Sequence, residues 1–113
     1  MKIIKATLVI FFFCSFSVVY GQNKKTSFLV NGKCEMCEER IEKALDIKGV
    51  NFASWNVETK MCNVTFNQKK ITEKEIHKIL AEVGHDTPLC KASDEAYNGL
   101  HRCCHYTRVD SLK

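Results

Sequence analysis

The spacing of apolar residues between positions 26 and 90 changes several times, and the order of these changes constrains the fold most. Alternate apolar positions are typical of strands, whereas spacing at i, i+3 and i+4 is typical of helices. Strands are predicted at Thr26–Val30, Val50–Val57, Met61–Phe66 and Thr87–Cys90, with helices between Cys37 and Leu45 and between Thr72 and Val83. This β-α-β-β-α-β order predicts an α+β fold, in which two helices cover one face of a four-stranded antiparallel sheet.

The second helix has the clearest boundaries. Thr72 and Glu75 have the spacing of a capping box, and Gly84 stands where a helix of this length is expected to end. Its apolar stripe consists of Ile76, Ile79, Leu80 and Val83. Because Pro88 lacks an N–H donor, the strand predicted after this helix is expected at a sheet edge.

The first 21 residues have the composition of an export signal. Lys2 and Lys5 precede an almost entirely apolar run, Leu8–Tyr20, and Gly21 is a small residue before a polar stretch. We therefore expect a signal peptide at 1–21 and export to the periplasm or cell envelope, with secretion as the alternative. An uncleaved anchor fits less well, because about 20 apolar residues are needed to span a bilayer.

The rest of the chain is divided into a domain at 22–90 and a C-terminal extension at 91–113. Loss of Lys2 and Lys5 lowers the formal net charge from +4 to +2. That charge is too small to indicate binding to nucleic acid or to an anionic membrane surface. Six of the seven cysteines remain, a number that in a small exported protein first suggests a disulfide framework.

The spacing of Cys34 and Cys37 indicates a different role for these two cysteines. They lie between the first predicted strand and the first predicted helix, where the helix N-terminus favours thiolates. Thiolates are soft ligands that bind Cu(I), Zn(II) and related ions. Structural zinc sites usually have four protein ligands. A lone pair therefore suits a soft ion of low coordination number that is passed to another protein.

The segment around this pair resembles the heavy-metal-associated domain family, which includes copper chaperones, modules of copper-transporting ATPases and the periplasmic mercury-binding protein. The resemblance covers residues 26–90 and rests on the run Phe28–Cys37 together with Ile41, Leu45, Gly49, Val50, Ala53, Val57, Val64, Phe66, Val83, Gly84 and His85. It implies a ferredoxin-like fold and a metal held by Cys34 and Cys37 on an exposed loop. It also implies a partner protein that transports or accepts the metal. The family often has a methionine at the position of Gly32, so the loop is expected to be supported differently here.

Further ligand candidates lie outside the pair. The resemblance implies that His85 lies near the metal loop. Three roles are open for it: a third ligand, a group that tunes a thiolate, or an exposed loop histidine. Cys103 and Cys104 lie between His101 and His105. They are auxiliary ligands, or they form a disulfide, either with each other or from one of them to Cys90.

Four other side chains are assigned structural positions. Cys62 alternates with Val64 and Phe66 and is predicted to be a small buried core residue. Trp55 and Phe66 are likewise assigned to the core. His77 lies beside Lys78 and is predicted to be on the surface.

Together these features predict a non-enzymatic protein that sequesters or relays a soft metal ion, with Cu(I) ahead of Hg(II) and Zn(II). One alternative is a thiol–disulfide oxidoreductase that uses the same cysteine pair. The chain lacks the aromatic-Cys-Gly-Pro-Cys pattern and the parallel βαβ core that such enzymes would require. The other alternative is a disulfide-stapled interaction module.

Overall fold

The computed structural model describes residues 23–108, so the predicted export signal lies outside the described residues. The described chain forms three strands, three α-helices and one 3₁₀ turn. They are β1 (Asn23–Leu29), α1 (Glu35–Ala44), β2 (Val50–Trp55), β3 (Met61–Asn67), α2 (Glu73–Glu82), α3 (Asp94–Asn98) and the 3₁₀ turn Arg102–Cys104. Within these residues no helix is long and apolar enough to cross a membrane.

The described strands form one antiparallel sheet in the order β1-β3-β2. Cys62 on the central strand lies opposite Phe28 on one side and Trp55 on the other. The pairing of β2 with β3 shifts between Val50 and Phe52. The architecture is therefore α+β with helices packed on a three-stranded sheet.

The fourth strand predicted at Thr87–Cys90 is not formed in the described part of the chain. Instead, the Thr87 N–H donates to the Cys90 carbonyl oxygen at 2.8 Å, and the Cys90 N–H donates to Thr87 Oγ1 at 3.1 Å. These bonds close a tight turn around Pro88. The polar groups that a strand would offer to the edge of β1 are used inside this turn.

The hydrophobic core lies between the helices and one face of the sheet. The predicted core residues Cys62, Trp55 and Phe66 are all buried, which confirms their assignment. The helices contribute fully buried aliphatic side chains, namely Ile41 from α1 and Ile76 and Leu80 from α2. Along β3, the buried residues alternate with more exposed ones, as expected for a sheet covered on one face.

The start and stop predicted for the second helix are confirmed. Thr72 Oγ1 accepts a hydrogen bond from the Glu75 N–H at 3.1 Å, and Glu75 Oε1 accepts one from the Thr72 N–H. Gly84 has a φ of +103° immediately after the helix. A side chain at this position would be strained and would also meet the Ala96 carbonyl oxygen at 2.9 Å.

The surface position predicted for His77 is wrong, because only 1% of this residue is exposed. Its ring packs edge-on against Phe28 with centroids 3.9 Å apart, and Nδ1 lies 2.6 Å from Thr87 Oγ1. Glu73 lies one turn earlier on the same helix, with a carboxylate oxygen 3.8 Å from Nε2. The loop that follows α2 folds back and covers this histidine.

The C-terminal extension packs against the loop after α2. The Tyr106 hydroxyl donates to the Gly84 carbonyl oxygen at 2.7 Å and accepts from the Asp86 N–H at 3.0 Å. Leu100 is buried and belongs to the main hydrophobic core. Ala96 and Tyr97 lie on the short helix α3. Residues 91–108 are therefore an integral layer of the structure.

Candidate metal centre

The loop that carries the cysteine pair is held in place at both of its ends. Cys34 is the N-cap residue of α1, and its carbonyl oxygen accepts from the N–H groups of Cys37 and Glu38. At the other end, the Asn31 N–H donates to the Asp86 carbonyl oxygen at 3.0 Å. The Sγ atoms of Cys34 and Cys37 lie 3.7 Å apart. Both thiols therefore face the same point at the N-terminus of the helix.

The two cysteines of the pair differ in exposure. Cys37 is fully buried, whereas Cys34 is partly exposed. The Lys33 N–H lies 3.4 Å from Cys37 Sγ and donates to it. An N–H donor aimed at sulfur stabilises the negative charge that a thiolate ligand carries.

Trp55 supports the loop from below. A Cβ atom on Gly32 would lie 2.8 Å from Cζ2 of this indole and 3.2 Å from the Cβ of Cys37. The indole N–H donates to the carbonyl oxygens of Val30 and Lys60 at 3.0 and 3.1 Å. The indole thus lies beside Gly32, the position at which the family often has a methionine. The sequence predicts that Trp55 lies in the core but does not predict that it supports the cysteine loop. The available signal was Gly32, because a residue without a side chain leaves room for a large neighbour.

The C-terminal extension brings two more thiols to the pair. Cys34 Sγ lies 3.2 Å from Cys103 Sγ and 3.4 Å from Cys104 Sγ. The sulfur atoms of Cys34, Cys37 and Cys104 all lie within 4.8 Å of one another. Cys104 is fully buried, whereas Cys103 is exposed and contacts Met36 Sδ at 3.3 Å. The extension and the loop together form a cluster of sulfur atoms.

The thiols in this cluster affect one another's protonation. Burial by itself would raise the pKa of Cys34, but hydrogen bonds with Cys103, the Cys37 backbone and Cys104 outweigh burial and lower the pKa to about 7. For Cys104, burial and its hydrogen bonds to the neighbouring thiols raise the pKa, while Arg40 opposes the rise. Cys34 therefore ionises more readily near neutral pH than Cys104 does.

His85 is fully buried, so the reading of it as an exposed loop histidine is wrong. Its Nδ1 lies 2.8 Å from the Asn31 carbonyl oxygen, and its ring stacks on Tyr106 at a centroid distance of 5.9 Å. Burial lowers the pKa of this imidazole. Within residues 23–108, Nε2 has no hydrogen-bond partner, and the cluster of candidate ligand atoms does not include this histidine. The structure places His85 behind the loop, where it holds the Asn31 backbone.

The disulfide pairings considered for the extension are not formed. Across the described part of the chain, all six cysteines are free thiols. Cys90 lies in the turn after α2, and Cys62 is buried in the central strand. His105 stacks on Tyr97 at a centroid distance of 5.0 Å.

Several solved structures have a fold similar to that of this chain. Three of them show the extent of the similarity. The CopZ metallochaperone has a TM-score of 0.54 and 26% identity, over 57% of this chain and 98% of that one. Oxidized MerP from Ralstonia metallidurans CH34 has a TM-score of 0.55 and 25% identity, over 57% and 93%. The N-terminal domain of a potential copper-translocating P-type ATPase from Bacillus subtilis, in the Cu(I)-loaded state, has a TM-score of 0.56 and 28% identity, over 64% and 92%.

No curated protein matches the chain significantly. The profile of the heavy-metal-associated domain, by contrast, matches residues 27–86. This stretch contains both cysteines of the loop and runs from β1 to the residues just after α2. It therefore includes every strand of the described sheet except the first residues of β1. The match extends over more than half of the chain, and the chain belongs to the heavy-metal-associated domain family.

Proposed function

We propose that this protein is an exported, non-enzymatic carrier that sequesters or relays a soft metal ion, with Cu(I) as the preferred cargo. The observation that carries the proposal is the pair of thiols at the start of α1. Cys34 and Cys37 have sulfur atoms 3.7 Å apart, in a chain that belongs to a metal-binding family. Converging thiolates at a helix N-terminus are suited to a soft ion.

Two observations favour Cu(I) over the alternatives. The candidate ligand cluster contains sulfur only, without the imidazole or carboxylate groups that commonly complete zinc sites. A related ATPase domain has been solved in a Cu(I)-loaded state, at 28% identity. Hg(II) is the second candidate, because a thiolate-only site also suits that ion and MerP is among the similar structures. Zn(II) is the third.

The exposure of Cys34 supports exchange with another protein. It lies at the outer edge of the pair, while Cys37 is fully buried beneath the loop. A thiol or thioether of a metal-transporting or metal-accepting partner can approach the ion from this side. Cys34 would leave first and Cys37 last, so that the ion is bonded to one protein or the other throughout.

Metal competition tests the binding proposal. The reduced protein is titrated with Cu(I) against a chromogenic chelator, beside Cys34→Ser, Cys37→Ser and the control Cys90→Ser, whose thiol lies outside the ligand cluster. We expect one-to-one binding that is lost in the first two variants and retained in the control. Equal binding by all four proteins, with rapid reduction of a test disulfide only by the wild type and Cys90→Ser, would instead identify an oxidoreductase.

Export is tested separately from binding. The full-length chain is expressed in a Gram-negative bacterium, and its periplasmic and membrane fractions are collected. We expect a periplasmic protein whose N-terminal residue is Gln22. A protein that stays in the membrane fraction with residues 1–21 attached would contradict cleavage of the signal.

A further inference from the structure

We propose that Cys104, delivered by the C-terminal extension, is a third metal ligand and converts the two-cysteine loop into a three-thiolate site. This inference rests on the proposed function, since Cys34 and Cys37 must bind the ion first. The occupant is a soft ion that accepts three sulfur ligands in a trigonal arrangement.

The distances between sulfur atoms match three ligands better than two. With a metal–sulfur distance of about 2.3 Å, a linear pair separates its sulfurs by about 4.6 Å and a trigonal set by about 4.0 Å. The Sγ atoms of Cys34 and Cys37 are 3.7 Å apart, and those of Cys34 and Cys104 are 3.4 Å apart. All three lie within 4.8 Å of one another. The pair is too close for linear coordination, and the third sulfur lies beside it.

Cys104 is held in this position by the packing of the extension. The Cys104 N–H donates to the His101 carbonyl oxygen at 2.8 Å, which closes the 3₁₀ turn. Two residues later, buried Tyr106 is bonded to Gly84 and Asp86 in the loop after α2. Leu100 packs into the core on the other side of the turn. The third thiol is therefore positioned before a metal arrives, which reduces the entropy lost on binding.

A positive charge lies close to the third sulfur. Arg40 Nη1 is 3.5 Å from Cys104 Sγ, and Arg40 projects from α1, the helix that begins at the cysteine pair. Three thiolates around Cu(I) carry two net negative charges, and around a divalent ion they carry one. The guanidinium and the helix N-terminus both offset this excess.

Cys103 provides a matched control within the same turn. Its sulfur contacts Cys34 and Met36, but it lies on the exposed side and is not part of the mutually close set. A substitution at Cys103 removes a neighbouring thiol without removing the buried one.

The third ligand also changes how the site is expected to release its metal. An accepting protein has to displace Cys104 as well, so release is slower than from a two-cysteine loop.

Copper-edge X-ray absorption of the Cu(I)-loaded wild-type protein measures the number of sulfur ligands without any substitution. We expect three sulfurs in the wild type and in Cys103→Ser, and two in Cys104→Ser. Loss of a coordinating thiolate should weaken binding at least as much as loss of a supporting contact, about 10- to 100-fold. Chelator competition is therefore expected to show this decrease for Cys104→Ser but not for Cys103→Ser, whose hydroxyl group can still form the hydrogen bond with Cys34.

The outcomes separate this inference from the function on which it rests. Two-sulfur coordination in the wild type, with binding still lost in Cys34→Ser and Cys37→Ser, would overturn the role of Cys104 and leave the proposed function intact. Three sulfurs that fall to two only in Cys103→Ser would also overturn it. Failure of the wild type to bind Cu(I) would overturn both. Even if Cys104→Ser is poorly folded, the spectra of the wild type and Cys103→Ser decide the matter together, because three sulfurs in both exclude a two-cysteine site and a third ligand from Cys103.

Discussion

The Arg108 guanidinium and the Asp86 carboxylate form a two-point ion pair, with Nε 3.0 Å from Oδ2 and Nη2 2.8 Å from Oδ1. Both side chains are largely shielded from solvent, with exposures of 13% and 9%. Asp86 also accepts from the Ala92 N–H at 2.7 Å, and Arg108 lies over the Tyr97 ring. The last described residue of the extension is therefore fixed to the loop that follows α2.

Arg108→Ala is expected to destabilise the protein by loosening the extension. The substitution removes both hydrogen bonds to a buried carboxylate, and bonds of this charged type each contribute about 1.5 to 3 kcal/mol. We expect the free energy of unfolding in urea to fall by at least the contribution of one such bond, about 1.5 to 3 kcal/mol. Arg102→Ala, at an exposed position in the same extension, is the control and should leave the free energy unchanged. Equal effects of the two substitutions would show that the ion pair contributes nothing specific.

Gly32→Ala is expected to disturb the cysteine loop. The added Cβ would lie 2.8 and 2.9 Å from two carbons of the Trp55 indole, closer than side-chain atoms pack. Overpacking of this kind costs about 1 to 3 kcal/mol. Since the same Cβ meets Cys37, Cu(I) binding measured by chelator competition should also weaken.

The control for this prediction is Gly99→Ala, where the nearest atom is at an ordinary 3.4 Å and the φ of −74° suits any residue. This variant should match the wild type in both stability and binding. Wild-type behaviour of Gly32→Ala would mean that Trp55 yields easily and does not support the loop.

Much of the fold follows from local sequence signals. The capping box of Thr72 and Glu75 and the glycine at position 84 act within a few residues, so they could be predicted without knowledge of the rest of the chain. The spacing of apolar residues after Cys37 likewise predicts that Cys34 and Cys37 lie at the start of a helix. Interactions of this kind depend little on tertiary context.

The features that were missed or left open depend on contacts between distant residues. His77 resembles a surface residue beside Lys78, yet Phe28 and Thr87 cover it from elsewhere in the chain. Delivery of Cys104 to the loop depends on Tyr106 reaching the turn after α2. A periodic sequence pattern does not predict such contacts, because the residues that form them are far apart in the sequence. The sequence could therefore identify Cys103 and Cys104 as candidates for auxiliary ligands, but it could not choose between that role and a disulfide.

The two buried histidines predict that the protein loses stability in mild acid. Burial lowers the pKa of His77, although Glu73 opposes this effect, and burial also lowers the pKa of His85. The unfolded chain, with histidine pKa near 6.5, binds protons that the folded chain does not. Stability is therefore complete above about pH 6.5 and falls as the pH drops below that value.

Urea unfolding at a series of pH values between neutral and mildly acidic conditions measures this loss. In His77→Asn, the amide can still pair with Thr87 but does not titrate, so its stability should fall less steeply with decreasing pH. A steeper fall in His77→Asn than in the wild type would contradict the assignment.

Cys34 is expected to react with alkylating agents at unusually low pH in the reduced, metal-free protein. Its pKa is about 7 because hydrogen bonds with Cys103, the Cys37 backbone and Cys104 outweigh the effect of burial. The rate of iodoacetamide modification at Cys34, followed by peptide mass spectrometry, should therefore be half-maximal near pH 7 and decline below it, since only the thiolate reacts. Cys103→Ala removes one of these hydrogen-bond partners at an exposed position and should move the midpoint to higher pH. A wild-type midpoint close to 9, unchanged in the variant, would show that the neighbouring thiols do not stabilise the Cys34 thiolate.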